Sequence, residues 1–94
     1  MSIRYAPRFL EKLQKQKVRV RNSFKKAIKE FEENPNSLVL NNHGLEREWL
    51  GYRSINITAD FRAIYREIKL ADETIAYFEV IGTHEELYKP SSKN

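Results

Sequence analysis

The 94-residue sequence has no cysteine, only two histidines and no long apolar run. Without cysteine, the chain can form neither a disulfide framework nor a zinc site with thiolate ligands. The two histidines lie far apart, so we expect neither a metal site nor another cofactor. No segment approaches the roughly 18–20 apolar residues that cross a bilayer, and residues 1–5 lack the apolar core of a signal peptide. We therefore expect a cytoplasmic protein that makes no membrane contact.

Acidic residues are missing from one long segment. From Lys12 to Lys29 there are eight basic residues and no aspartate or glutamate, and twelve of the thirteen carboxylates lie at or after Glu30. The net charge is +4. This asymmetry favours a polyanion or an acidic protein as partner. Alternatively, the segment is only the solvated face of a helix, because basic patches are common and unspecific.

The first half of the chain predicts a strand and two helices. Residues Ser2 to Ala6 alternate apolar and polar side chains, as a short strand does. Pro7 suits the first turn of a helix, which we expect to end near Gln16. A second helix follows, with apolar residues at spacings of three and four: Val20, Phe24, Ala27, Ile28 and Phe31. Asn34-Pro35-Asn36 ends it, because the residue before proline avoids helical angles.

The second half predicts strands. Residues 37–48 are polar and irregular, which is typical of a loop. Three strands joined by tight turns follow, at residues 52–58, 61–68 and 74–81. Residues 85–89 fit one helical turn and residues 90–94 a frayed tail. We predict one α+β domain over residues 1–94, with an N-terminal strand and a two-helix hairpin packed on a mainly antiparallel four-stranded sheet.

Two features indicate a reactive site. Alternation along the strand of residues 61–68 puts Arg62 and Arg66 on one face. Because two helices cover only one face of a sheet, we expect Arg62 to point into a groove on the other face. The stretch Gly82-Thr83-His84-Glu85-Glu86-Leu87-Tyr88 places a histidine and a tyrosine just beyond the last strand. Histidine exchanges protons near neutral pH, so His84 is a candidate acid–base group.

Three segments resemble the RelE/YafQ group of bacterial toxins, which are small mRNA interferases of toxin–antitoxin pairs. They are Trp49-Leu50-Gly51-Tyr52-Arg53, Asp60-Phe61-Arg62-Ala63-Ile64-Tyr65-Arg66 and the Gly82–Tyr88 stretch. The likeness runs in register from about His43 to Tyr88, and the YafQ branch is the nearer match. It implies a RelE-like fold and metal-independent, ribosome-dependent cleavage of mRNA in the A site. It also implies neutralisation by a cognate antitoxin, for which an acidic protein would fit the charge asymmetry.

The resemblance also carries residue roles. His84 matches the catalytic histidine of YafQ-like toxins, and Tyr88 matches their terminal aromatic residue. Asp60 and His43 match a functional aspartate and a loop histidine of the same branch. Arg62 lies where RelE has a catalytic arginine. These five residues are our predicted catalytic set.

Metal-independent cleavage of RNA needs a base for the ribose 2′-OH, an acid for the leaving oxygen and a cation on the phosphate. We predict His84 as the main acid–base group and Arg62 as the phosphate clamp. Asp60 orients a histidine or acts as a base. Tyr88 stacks on a nucleobase or shares in proton transfer, and His43 is a further proton-transfer candidate.

For binding the RNA backbone we expect Arg53, Arg66 and the basic helix, including Lys25 and Lys29. One position departs from the family pattern. YafQ-type toxins usually have a further histidine where this chain has Asn56. Either the proton chemistry is shared differently here, or the activity is weaker.

Structural alternatives exist for each candidate. His84 could cap a strand end, Tyr88 could close the core, and Asp60 is a good turn residue. Arg62 and Arg66 could form ordinary surface ion pairs across strands. For the whole protein, the alternatives to a nuclease are a ParE-like protein that inhibits DNA gyrase by binding, and an inactive relative with the same fold.

Overall fold

A five-stranded sheet lies at the centre of the structure, a computed structural model that describes residues 1–88. The strands are β1 (Ser2–Tyr5), β2 (His43–Gly44), β3 (Arg53–Asn56), β4 (Phe61–Lys69) and β5 (Thr74–Thr83). Their order across the sheet is β1-β5-β4-β3-β2. β1 runs parallel to β5, and all other neighbours are antiparallel. The predicted α+β class and mainly antiparallel sheet are confirmed, with one more strand than expected.

The additional strand, β2, lies inside the segment predicted as a loop. It contains only two residues, which pair with Arg53 and Ser54 of β3. The same segment also forms two short 3-10 turns, Leu38–Leu40 and Arg47–Trp49. Elements of two or three residues are too short to show a hydrophobic period, so no sequence pattern predicts them.

Three helices complete the described part of the chain: α1 (Pro7–Gln14), α2 (Val18–Glu33) and α3 (His84–Tyr88). Pro7 is the first residue of α1, where its missing N–H costs nothing. α2 ends at Glu33, and the following residue, Asn34, has an extended φ of −156° and ψ of 97°, as expected before a proline. α1 is two residues shorter than expected.

The junction between β5 and α3 differs from the prediction in its boundaries. β5 continues through Thr83 instead of ending at Ile81, and α3 begins at His84 instead of residue 85. A strand therefore passes directly into a helix without a loop. The predicted frayed tail, residues 90–94, lies outside the described residues.

The core is an aromatic cluster between the helices and one face of the sheet. Phe9, Phe31, Tyr65 and Phe78 are each at most 1% exposed. Ring centroids of Phe78 and each of the other three lie 5.0 to 5.8 Å apart, in tilted and edge-to-face arrangements. Burial of such a side chain contributes about 1.5–3 kcal/mol, so this cluster fixes α1 and α2 on that face.

A β-bulge in β5 determines which of its residues share a face. Ile64 pairs with Val80 and Tyr65 pairs with Phe78, which leaves Glu79 as the extra residue. Because one residue is inserted, the inward and outward sides of β5 exchange at this point.

The bulge places the end of β5 correctly for the site. Phe78 and Ile81 are both buried in the core although they are three residues apart. Gly82 then lies on the opposite face and pairs with Arg62. A strand of strict alternation would instead have turned Gly82 toward the helices.

The face opposite the helices is partly covered. Ile64 and Ser54 on this face are fully buried, whereas Arg62 is half-buried. Leu87 of α3 lies over the same face, because its Cδ2 is 3.2 Å from where a Cβ on Gly82 would be. The result is a cleft beside α3 and not an open sheet.

Within residues 1–88, none of the helices combines the length and the apolar character that a membrane crossing requires. The same residues include no cluster of three histidine or carboxylate side chains arranged to hold a metal ion.

Candidate active site

A cleft of about 390 Å³ lies between α3, the residues around β2 and the start of β4. Its lining residues are Asn41, His43, Leu45, Arg62, His84 and Tyr88. Four of the five residues predicted as catalytic are therefore brought together here from three separate parts of the chain. Only Asp60 of that set does not line the cleft.

Arg62 is anchored by one of its guanidinium nitrogens. Nη1 donates hydrogen bonds to the carbonyl oxygens of Thr58, Ala59 and Phe61, at 3.0, 3.1 and 3.1 Å. Among residues 1–88 no carboxylate lies within ion-pair distance of it. The turn between β3 and β4 thus holds the arginine by neutral groups, so its charge remains available to an anion.

His84 and Tyr88 lie one turn apart on α3, and their ring centroids are 4.6 Å apart at an interplanar angle of 60°. The histidine is exposed, whereas the tyrosine is half-buried. Tyr88 Oη is buried and has no hydrogen-bond partner within residues 1–88. The contact fixes the two rings as a pair, because residues four apart on a helix share one face.

A capping box fixes the start of α3. Thr83 Oγ1 accepts a hydrogen bond from the Glu86 N–H at 3.1 Å, and the Thr83 N–H donates to Glu86 Oε1 at 2.9 Å. The His84 N–H donates to the Asp60 carbonyl oxygen at 3.0 Å. These three bonds set the direction in which the His84 side chain leaves the helix.

Lys12 of α1 joins the same cap. Its Nζ lies 3.1 Å from Glu86 Oε1. The hydrogen bond from the Thr83 N–H, followed by that from Lys12, lowers the pKa of the Glu86 carboxyl. The cap is therefore charged at neutral pH and links α1 to α3.

Gly82 allows this assembly to approach the sheet. A Cβ at this position would lie 2.9 Å from Lys12 Nζ, 3.0 Å from Glu86 Oε1 and 3.2 Å from Leu87 Cδ2. Any larger residue must displace at least one of these groups. The absence of a side chain at Gly82 thus lets these groups pack closely against the strand.

His43 reaches the cleft from β2. Its ring is exposed, and Nδ1 lies 2.8 Å from the carbonyl oxygen of Asn41. The cleft consequently has two histidines, one from β2 and one from α3.

Asp60 takes part through its backbone. It occupies the turn before β4, where its N–H donates to Thr58 Oγ1 at 3.1 Å, and its carbonyl oxygen accepts the bond from His84. The carboxylate is exposed and has no hydrogen bond or ion pair within residues 1–88. The turn interpretation of Asp60 thus agrees with its position.

The predicted phosphate-binding residues are dispersed. Arg53 pairs with Tyr65 across β3 and β4, on the helix side, and its Nε donates to Asn42 Oδ1 at 2.8 Å. Lys25 and Lys29 are exposed on α2. None of the three lines the cleft.

Arg66 lies on the same sheet face as Arg62 but is already paired. Its Nε is 3.6 Å from Glu79 Oε1, and its guanidinium carbon lies 5.3 Å from the centre of the Tyr77 ring. The surface-pair interpretation is correct for Arg66, whereas Arg62 contacts carbonyl groups. Asn56 pairs with Arg62 in register and does not line the cleft.

Two sets of site residues were missed by sequence reasoning. Thr83 and Glu86 carry a readable signal, since Thr-x-x-Glu is the capping-box pattern. Asn41 and Leu45 carry none, because they lie in short irregular segments whose path depends on the rest of the fold.

The fold is that of small bacterial toxins. The structure is similar to the YoeB/ParE toxin from Agrobacterium tumefaciens, with a TM-score of 0.72 and 20% identity over 89% of this chain and 99% of that chain. It is equally similar to YafQ from E. coli strain BL21(DE3), with a TM-score of 0.72 and 27% identity over 93% of this chain and 97% of that chain. YafQ in the E. coli DinJ–YafQ complex matches with 31% identity and a TM-score of 0.65, at the same coverage.

The family model described as ParE toxin of type II toxin–antitoxin system, parDE, matches residues 3–88. This chain therefore belongs to the ParE toxin family, within the RelE/ParE superfamily of type II toxin–antitoxin systems. No curated protein sequence matches the chain.

Proposed function

We propose that this toxin is a metal-independent endoribonuclease that inhibits translation by cutting mRNA in the ribosomal A site. The observation that supports the proposal is the cleft itself. Arg62, His43, His84 and Tyr88 line one space, although they come from different strands and a helix. These are the residue types that transfer protons and neutralise a phosphate.

The reaction uses the RNA as its own nucleophile. A base takes the proton of the ribose 2′-OH, whose oxygen attacks the adjacent phosphorus. The bond from phosphorus to the 5′-oxygen breaks with its electrons on that oxygen, which an acid protonates. The products are a 2′,3′-cyclic phosphate and a free 5′-OH.

Arg62 neutralises the charge that develops on the phosphate oxygens. Its Nη1 is held by three carbonyl groups, so the guanidinium is oriented before RNA binds. The other nitrogens make no hydrogen bond within residues 1–88. A fork of two N–H groups on one phosphate is the geometry that arginine favours.

His84 is the main proton-transfer group, and His43 supplies the second. Two histidines in one cleft fit a reaction that needs both a base and an acid. Tyr88 packs against His84 and offers its ring to a nucleobase. An RNA oxygen that reaches Tyr88 Oη would provide the hydrogen bond which that hydroxyl lacks.

An acidic antitoxin is the proposed protein partner. The relative YafQ is described in complexes with DinJ. In this chain the net charge of +4 and the exposed lysines of α2, including Lys25 and Lys29, favour an acidic partner. The same cations are suited to ribosomal RNA phosphates.

The proposal is tested by producing the toxin alone in bacteria and measuring growth and protein synthesis. We expect both to stop, and His84→Ala or Arg62→Ala to relieve the arrest while the folded protein accumulates. Lys69→Ala is the matched control, since it removes an exposed cation from the same strand without altering the cleft. Full toxicity of both cleft variants would reject the site.

The ParE description of the matching family model favours a second candidate, inhibition of DNA gyrase by binding. That function needs no proton-transfer groups. It would produce DNA damage signalling, with messages left intact, and the same two cleft variants would remain toxic.

A further inference from the structure

Asn41 holds a left-handed backbone conformation at the rim of the cleft. Its φ is 46° and its ψ 48°, immediately after the 3-10 turn Leu38–Leu40. Among residues with a side chain, asparagine and aspartate enter this region most readily. The Asn41 side chain is exposed and makes no hydrogen bond within residues 1–88. Asn41 therefore acts on the cleft through its backbone carbonyl and not through its side chain.

The Asn41 carbonyl determines which nitrogen of His43 carries the proton. The carbonyl oxygen lies 2.8 Å from His43 Nδ1 and can only accept a hydrogen bond. Nδ1 must then be the N–H donor. A neutral imidazole has a single N–H, so Nε2 keeps a free lone pair. A histidine in water favours the other tautomer, with the proton on Nε2.

We propose that Asn41 is a positioning residue that holds His43 in the Nδ1–H tautomer, so that Nε2 accepts the proton of the ribose 2′-OH. The inference deepens the proposed nuclease function and rests on it for the RNA step. It takes His43 and His84 as the proton-transfer pair of the proposed function, and what it adds is the role of Asn41.

The Nε2 lone pair takes the 2′-OH proton, which makes His43 an imidazolium with both nitrogens protonated. The Asn41 carbonyl already accepts from Nδ1–H and stabilises that charge. The 2′-oxygen bonds to phosphorus, and the 5′-oxygen leaves with the electron pair and receives a proton from His84.

Two substitutions at position 41 separate backbone from side chain. Asn41→Gly keeps the left-handed conformation available and removes a side chain that has no hydrogen bond within residues 1–88. Asn41→Val disfavours that conformation, because β-branched residues rarely have positive φ. The readout is the tautomer of His43 in the free protein, from nitrogen-15 and proton NMR of its ring above the pH at which it is charged.

We expect the Nδ1–H form to predominate in the parent protein and in Asn41→Gly, and the Nε2–H form to return in Asn41→Val. Cleavage assays with purified ribosomes compare the three proteins, and we expect Asn41→Gly to lose less activity than Asn41→Val. We expect Asn41→Val to lower kcat roughly 10- to 100-fold with little change in KM. This is less than the roughly 10²–10⁴-fold contribution of general acid–base catalysis, because His43 is still present.

An Nε2–H tautomer in the parent protein would overturn the inference, and so would an Asn41→Gly variant that loses the Nδ1–H form. Both measurements stand even if Asn41→Val does not fold. They also separate this inference from the nuclease proposal. If His43 is in the Nδ1–H form but the protein cuts no RNA, the nuclease function and the role of His43 as a base are rejected. The Asn41–His43 contact would still be supported.

Discussion

At the scale of single residues, Arg62 shows how a charge is kept ready for a ligand. Its Nη1 is bound by three backbone carbonyl groups, which orient the guanidinium but do not neutralise it. Arg66 lies four residues further along β4, on the same face, and its Nε is 3.6 Å from Glu79 Oε1. The two arginines have the same chemistry and the same sheet face, yet only one is free for a phosphate.

Gly82 is the residue on which the packing of α3 most directly depends. We expect Gly82→Ala to lower the free energy of unfolding by about 1–3 kcal/mol, because the new Cβ would overlap Lys12 Nζ and Glu86 Oε1. The cost should lie at the lower end, since both groups are the ends of flexible side chains. Chemical denaturation measures the difference.

Gly44→Ala is the control for that comparison. Its Cβ would meet only Arg53 Nη1, at an ordinary contact distance of 3.5 Å. We expect it to leave the free energy of unfolding within about 0.5 kcal/mol of the parent protein. Equal effects of the two glycine substitutions would contradict the close packing inferred at Gly82.

At the scale of elements, the short helix α3 depends on its cap. Five residues are too few for a helix to be stable by itself in water. The reciprocal bonds of Thr83 and Glu86 and the ion pair from Lys12 compensate for this. The position of His84 is therefore determined by residues that have no chemical role.

The Glu86 carboxyl makes part of this stability dependent on pH. Its folded-state pKa is lowered, so its contribution is present above the ordinary value of 4.5 and is lost as pH falls through the folded-state pKa. Because the group is exposed, we expect about 1 kcal/mol or less. Melting temperatures between neutral and acid pH test this, with Glu86→Gln less stable than the parent at neutral pH and equal to it in acid.

Glu85→Gln provides the matched control, because Glu85 is its exposed neighbour and has no hydrogen bond within residues 1–88. It should show no pH-dependent difference from the parent protein. A Glu86→Gln curve that runs parallel to the parent curve across the whole pH range would mean that the charged cap adds no stability.

The elements also show where sequence patterns suffice and where they fail. The spacing of Val20, Phe24 and Phe31 predicted α2 and its buried face, because apolar residues at helical spacing form one side of a helix whatever that side packs against. The bulge at Glu79 could not be predicted, since it depends on how β5 matches β4. The bulge nevertheless decides that Gly82 faces Arg62.

The same distinction holds for the site. Strand alternation correctly put Arg62 on the face away from the helices. The family pattern named His43, His84 and Tyr88, which line the cleft with it, and their catalytic roles stay a prediction. Arg53 pairs with Tyr65 on the helix side, away from the cleft, and its contact with RNA also stays a prediction. The register of β3 on β4 cannot be predicted from the sequence, so the sheet face on which Arg53 lies could not be predicted either.

At the scale of the whole molecule, the aromatic core affects how the protein responds to alkali. Burial, and then the charge of Glu32, raises the pKa of Tyr5 to about 12, and burial raises the pKa of Tyr65. Because these pKa values are raised, the stability that the two groups confer is complete below the ordinary value of 10 and is lost as pH rises through the folded-state pKa of each.

Absorbance of ionised tyrosine, followed against pH, tests this expectation. Tyr5 and Tyr65 should ionise at higher pH in the folded protein than in denaturant, and Tyr5→Phe should remove one of these late steps. If Tyr5→Phe leaves the late ionisation unchanged, the core around Tyr5 is more open than the structure indicates.

The central claim for the whole molecule is that the cleft cuts mRNA. The most direct measurement adds the purified toxin to ribosomes stalled on a defined message and analyses the RNA ends. We expect cuts within the A-site codon, with 2′,3′-cyclic phosphate and 5′-OH ends, and a roughly 10²–10³-fold slower reaction for Arg62→Ala. The account would be contradicted if the parent toxin left the message intact, or if Arg62→Ala and His84→Ala both cut it as fast as the parent toxin does.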